Sequence, residues 1–239
     1  MLKNDLITKN PLGAFSAEVS GSDSNMRMGL VMARAGLGKT AILVQIALDN
    51  MLKGRQVLHV TIGQNIQKTK AWYDDILADI ASGCEDQRLA DLQYEVMRNR
   101  MIMTFNESSF SRPKLEERLN DLIYQDIFRP SCMVIDGLDF ATINRQAIED
   151  MRDLQQQAGM SLWFSALTHR DKTEVSAEGV PVPCNEVADL FETVILLEAQ
   201  SEGDSKIFLN VLKDATGCVE PGKSLRLDPT SMVVWGTTF

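Results

Sequence analysis

Runs that are apolar throughout alternate along this chain with stretches whose apolar residues recur every three or four positions. "MGLVM", Met28 to Met32, reads as a strand buried on both faces. Leu43, Ile46, Ala47 and Met51 then share one face of a helix that stops at Gly54. "QVLHVTI" from Gln56 predicts a second strand, and "AWYDDILADIA" from Ala71 and "DQRLADLQYEVMRNR" from Asp86 predict helices parted at Gly83. "MIMTF" from Met101 predicts a third strand. The helix after it opens with a capping serine, Ser111, carries Pro113 in its first turn and lines up Leu115, Leu119, Leu122 and Ile123. "SCMVIDGLDF" holds a strand ending in Asp136, followed by a helix from Arg145 to Gln157. "SLWFSALTHR" from Ser161 and "ETVILLEA" from Glu192 are further strands, separated by a polar loop that runs to Asn185.

The tail changes character. "KIFLNVL", "KSLRL" and "MVVWG" are short strand-like runs joined by Gly and Pro turns with no helix between them, which predicts antiparallel pairing. The predicted architecture is therefore α/β: a mostly parallel sheet flanked by helices and extended by antiparallel C-terminal strands. Residues 1–25 lack clear periodicity and include "SGSDSN", so they read as an N-terminal arm ahead of the core, of a kind that is often disordered.

A length of 239 residues suits one substantial domain. There is no run of eighteen apolar residues and no signal-peptide pattern at the N-terminus, so a soluble, cytoplasmic protein without membrane contact is expected. Cys84, Cys132, Cys184 and Cys218 are scattered with no C-x-x-C pair, so reduced, buried thiols are expected rather than disulfides or a metal site. The net charge of −9 opposes broad attraction to nucleic acid, although an assembly can still gather a few basic loops at its centre.

The most informative segment lies between the first strand and helix. "ARAGLGKT", Ala33 to Thr40, fits the phosphate-loop pattern with Ala33 in place of its leading glycine. Gly36 and Gly38 permit backbone angles that turn successive N–H groups of Ala35 to Ala41 toward phosphate oxygens, with Leu37 between the two glycines. Lys39 supplies a mobile cation for the outer phosphates, and the Thr40 hydroxyl can ligate magnesium. The helix that begins there turns its positive dipole end to the anion.

Asp136 closes an apolar strand at the sheet edge where ligands bind in open α/β folds, and it can hold the magnesium through water opposite Thr40. Asp139 either orients water or caps the next turn. His169 ends another apolar strand; it either reaches the terminal phosphate and its attacking water or is a histidine satisfied at a strand end.

The order "ARAGLGKT", "VLHVTIG", "CMVIDGLDF", "LWFSALTHR", "VADLFETVILLE" and "FLNVLKDATG" resembles the ATPase core of the RecA superfamily, in particular its KaiC and DnaB branches. The resemblance spans roughly residues 25 to 235 and implies a RecA-like ATPase domain over 26–239. It implies ATP and magnesium as ligands, held by Lys39, Thr40 and Asp136, with His169 at a sensor position. It also implies a homo-oligomeric ring or filament in which Lys213 reaches a neighbour's nucleotide. Two positions depart from the pattern. Gly63 stands where a glutamate usually polarises the attacking water, followed by Gln64, which can position water but cannot take a proton. Asp214 stands where the helicase branch tends to carry an arginine, and an acid cannot neutralise charge on a transferring phosphoryl group.

The reading that fits both departures is an ATP-binding, slowly hydrolysing ATPase that changes assembly or partner binding with nucleotide state. A DnaB-like or RecA-like nucleic-acid motor is the alternative. It would need a basic loop facing the strand, whereas the loop Asp171 to Asn185 carries Asp171, Glu174 and Glu178 against Lys172.

Overall fold

Strand β1 (Met28–Ala33) is buried along its whole length, flanked by β5 (Ser161–Leu167) on one side and β6 (Thr193–Gln200) on the other, both parallel to it. The computed structural model describes residues 2–16, 26–82, 86–168, 174–200 and 206–235. β2 (Val57–Ile62), β3 (Arg100–Phe105) and β4 (Cys132–Asp136) complete the parallel part of the sheet. β7 (Lys206–Asp214), β8 (Ser224–Leu227) and β9 (Val234–Trp235) extend it antiparallel, giving the order β3-β2-β4-β5-β1-β6-β7-β8-β9 among the described residues. An all-apolar β1 follows from this central position, because helices cover both faces of a parallel sheet.

The α-helices among the described residues are α1 (Leu2–Lys9), α2 (Lys39–Leu52), α3 (Ile66–Ile80), α4 (Asp86–Met97), α5 (Arg112–Tyr124) and α6 (Arg145–Ala158). Leu43 of α2, Ile76 of α3 and Val96 of α4 pack with Val31 and Val134 on one face of the sheet. Leu115 of α5 and Ile148 of α6 pack with Leu30 and Ile135 on the other. The reason is topological. The crossovers β1 to β2 and β2 to β3 run toward one edge of the sheet, while β3 to β4 and β4 to β5 run back, and crossovers of one hand then place their helices on opposite faces. The chain thus reverses direction where β1, β5 and β4 end side by side, which opens a crevice at their C-terminal ends.

Several boundaries differ from expectation for local reasons. Helix α3 begins at Ile66 rather than Ala71, because the Asn65 side chain accepts a hydrogen bond of 2.8 Å from the Gln67 N–H and caps a turn of polar sequence. Ser111 does precede α5, but its hydroxyl makes no capping bond, so Pro113 in the first turn is the surviving start signal. Asn144 caps α6 through the Ala147 N–H at 2.9 Å, and Gly159 ends that helix in the left-handed conformation.

The start of the arm is folded onto the core. Leu6, Leu12 and Phe15 are buried in the same cluster as α2. The fully buried Asp49 carboxylate on α2 takes hydrogen bonds from Asn10 at 2.9 Å and from Ser16, and pairs with Lys53 at 2.6 Å. A buried charge needs such partners, and here they fasten residues 10–16 to the helix. Residues 17–25 lie outside the described ones. Cys84 does too, while Cys132 and Cys184 are free and buried, and burial pushes both thiols up, Cys132 to about 11. Cys218 is free and half-buried. No helix among the described residues is long and apolar enough to cross a membrane.

The C-terminal strands are fastened to α2 by one side chain. Buried Gln45 donates to the Met232 carbonyl at 2.8 Å and accepts from the Val234 N–H at 3.0 Å. Gln45→Ala strands both backbone groups, so we expect it to lower stability by about 1–3 kcal/mol. Urea unfolding of the two proteins measures it, and equal midpoints would refute the clamp.

Candidate functional site

The segment from Ala33 to Ala41 forms a tight loop running into α2. Gly36 and Gly38 have φ angles of +80° and +92°, a region that side chains disfavour, and this is what the two glycines contribute. Gly38 is the N-cap of α2 and supplies no side-chain cap. The first-turn N–H groups of Lys39, Thr40 and Ala41 therefore have no side-chain acceptor at the helix start, the arrangement in which an anion completes a helix end. Ala35 and Gly36 are exposed, Leu37 is half-buried and Ala41 is buried. The Lys39 ammonium folds back across the loop onto the carbonyls of Ala33 and Arg34, at 3.2 and 3.3 Å. Burial lowers its pKa, and the Asp136 carboxylate works against that shift.

Asp136 is the hub of the crevice. At the end of β4 it is 3% exposed, and both its oxygens are taken. Thr40 donates to Oδ2 at 2.7 Å, the Gln64 amide donates to the same oxygen at 3.2 Å, and Ser165 donates to Oδ1 at 2.5 Å. Ser165 also accepts from the Gly137 N–H at 3.1 Å, tying the loop after β4 to β5. The structure thus brings together Lys39, Thr40, Gln64 and Asp136 as the sequence suggested. It adds Ser165, whose signal was a hydroxyl within the buried run "LWFSA".

These residues line a cavity of about 900 Å³, within the usual range of small-molecule sites. Phe110, Phe140, Leu167 and Met232 give it apolar walls, and Lys68, Glu107 and Asp139 also border it. Asp139 serves the turn: its Oδ1 accepts from the Ala141 N–H and its Oδ2 from the Thr142 hydroxyl, each at 3.0 Å. Lys213 is not among the lining residues; its ammonium donates to the Ala188 carbonyl of its own chain at 3.0 Å. Asp214 is directed inward, accepting from Thr193 at 2.7 Å, Thr216 at 2.8 Å and the Val219 N–H at 2.8 Å. Its acidity thus organises a turn. His169 lies outside the described residues.

Among the described residues no cluster of three His, Cys, Asp or Glu side chains could hold a metal by itself. The Thr40 and Asp136 oxygens fit magnesium, which takes few protein ligands and fills its octahedron with phosphate oxygens and water. Behind the crevice, β2 buries His59, whose Nδ1 shares a 2.8 Å hydrogen bond with the Tyr73 hydroxyl while its Nε2 has no partner among the described residues. Burial pulls His59 down to about 4; the Arg100 guanidinium adds to the shift and the Asp136 carboxylate opposes it.

No protein-family model matches the chain, and a search of curated proteins found no match.

His59 is neutral in the folded chain and protonates more readily when unfolded, so the unfolded state binds the extra proton between pH 6.5 and about 4. We expect stability to be full above pH 6.5 and to fall through that window by up to about 1.4 kcal/mol per pH unit from this residue. Denaturant titrations from pH 7.5 to 5 on the unmodified chain and on His59→Asn check it; identical pH slopes would contradict it.

Proposed function

We propose that the chain is a RecA-like P-loop ATPase of the KaiC and DnaB type that binds ATP with magnesium and uses nucleotide state to regulate assembly or partner binding. The observation that carries the reading is the start of α2. An uncapped helix end, a loop with two positive-φ glycines, and Lys39 and Thr40 all lie against a buried carboxylate where the sheet reverses direction. A bland strand-to-helix turn has no need of this combination. Lys39 leaves the Ala33 and Arg34 carbonyls for the outer phosphates, the loop N–H groups hold the inner ones, and the apolar wall at Phe140, Leu167 and Met232 faces the base. Magnesium, held by Thr40 directly and Asp136 through water, would offset charge between the outer phosphates.

Hydrolysis in this reading is slow. Gly63 brings no carboxylate of its own, Gln64 is engaged with Asp136, and Asp214 is buried in a turn. Among the described residues the lining cations are Lys39 and Lys68, with no arginine beside them. An arginine at the terminal phosphate is worth about a thousandfold or more in related chemistry. The homo-oligomeric ring or filament belongs to the same reading. The described part of the loop before Asn185 adds Glu174 and Glu178 and no basic side chain, so a nucleic-acid motor gains no support there.

Lys39→Ala removes the ammonium and leaves the phosphates to backbone donors alone. We expect ATP affinity to fall by about 1.5–3 kcal/mol, or roughly ten- to a hundredfold, with the fold unchanged. Titration calorimetry with magnesium and ATP on both proteins measures this; equal affinities would sink the phosphate-loop reading.

A further inference from the structure

Among the described residues three carboxylates border the cavity, and two of them are occupied. Asp136 receives Thr40, Gln64 and Ser165, and Asp139 receives the Ala141 N–H and the Thr142 hydroxyl. The third, Glu107, opens the short 3₁₀ turn Glu107–Ser109 after β3 and has no hydrogen-bond or ion-pair partner among the described residues. Its position is fixed by its neighbours. The Gly63 N–H donates to the Phe105 carbonyl at 2.9 Å, which pins the end of β3 against the end of β2. A Cβ added at Gly63 would come within 2.6 Å of Glu107 Oε1 and 3.0 Å of its Cγ. Gly63 also has a φ of +69°, so a side chain there would be strained by conformation and would push the Glu107 carboxylate aside. A carboxylate is thus brought beside the end of β2 by the turn that follows β3. The absence of a side chain at Gly63 is the room Glu107 needs.

Resting on the ATPase reading above, we infer that Glu107 is the general base of the site, taking the proton from the water that attacks the terminal phosphate. The water oxygen forms the new bond to phosphorus. The bond from phosphorus to the bridging oxygen breaks, and its electron pair leaves on the nucleoside diphosphate. The proton displaced from the water passes to the Glu107 carboxylate and then to solvent, which restores the carboxylate. Gln64, also at the cavity wall, has an amide oxygen that can accept from the same water while its nitrogen stays on Asp136. Glu107 is exposed and rides on a short turn rather than on the strand, so it is less rigidly aimed than a strand-end carboxylate, in keeping with slow turnover.

The test separates this inference from the reading beneath it. Glu107→Gln keeps the size of the side chain and removes its capacity to take a proton. ATP affinity and phosphate release at saturating ATP and magnesium are measured on the unmodified chain and on Glu107→Gln. We expect affinity to be unchanged within about twofold and release to fall about a hundredfold, the usual worth of general-base assistance. Release by Glu107→Gln at the unmodified rate, a loss of affinity as large as the loss of rate, or ATP binding without any turnover in the unmodified chain each overturns the role of Glu107 and leaves the ATP-binding reading standing. Failure of the unmodified chain to bind ATP overturns that reading and this inference with it.

Discussion

A nearly buried carboxylate at the end of β4 sets the terms for the whole crevice. Asp136 is surrounded by sheet and helix, and a charge in that position is stable only if its oxygens are taken by donors. The donors come from three elements: Thr40 at the start of α2, Gln64 after β2, and Ser165 in β5. Satisfying one charge therefore fixes the ends of three strands and the first turn of α2 relative to one another. The same crevice holds a hydroxyl, a carboxylate and an ammonium at a helix start without a side-chain cap, the combination on which the proposed phosphate and magnesium site rests.

How much of this was legible depended on whether the chemistry was local in sequence. Lys39, Thr40 and the two glycines lie in eight consecutive residues, and Asp136 announces itself as a charge closing an apolar run, so both could be placed without a structure. The order of strands and helices was legible for the same reason, each element carrying its own period. Ser165 and Glu107 were not. Ser165 reaches Asp136 because β5 is inserted between β4 and β1, and Glu107 reaches the cavity because β3 pairs with β2; strand neighbours far apart in sequence leave no local mark. Asp214 was legible as an acid but not as the anchor of a turn, since its partners are fixed by the pairing of β6 with β7 and by the loop that follows.

The two ends of the chain show the same limit. Residues 2–16 looked aperiodic because α1 is one short helix and the 3₁₀ turn Pro11–Ser16 has no period to display. Their attachment comes from Asp49, on a helix whose buried face already explained its presence. At the other end, Gln45 holds the last strand, and a polar residue within the apolar run Ala41–Leu48 was the trace it left in the sequence. Both clamps converge on α2, the helix that begins at the loop. Met232 lies beside Gly38 and lines the cavity, so the C-terminal segment is part of the cavity wall.

The most direct measurement is a calorimetric titration of the unmodified chain with ATP, carried out once with magnesium and once with the metal chelated. If Thr40 and Asp136 share a magnesium ion with the phosphates, ATP binds in both conditions and more tightly with the metal. Binding that is indifferent to magnesium would remove Asp136 from the ligand's environment. No binding in either condition would contradict the assignment of the crevice to a nucleotide altogether.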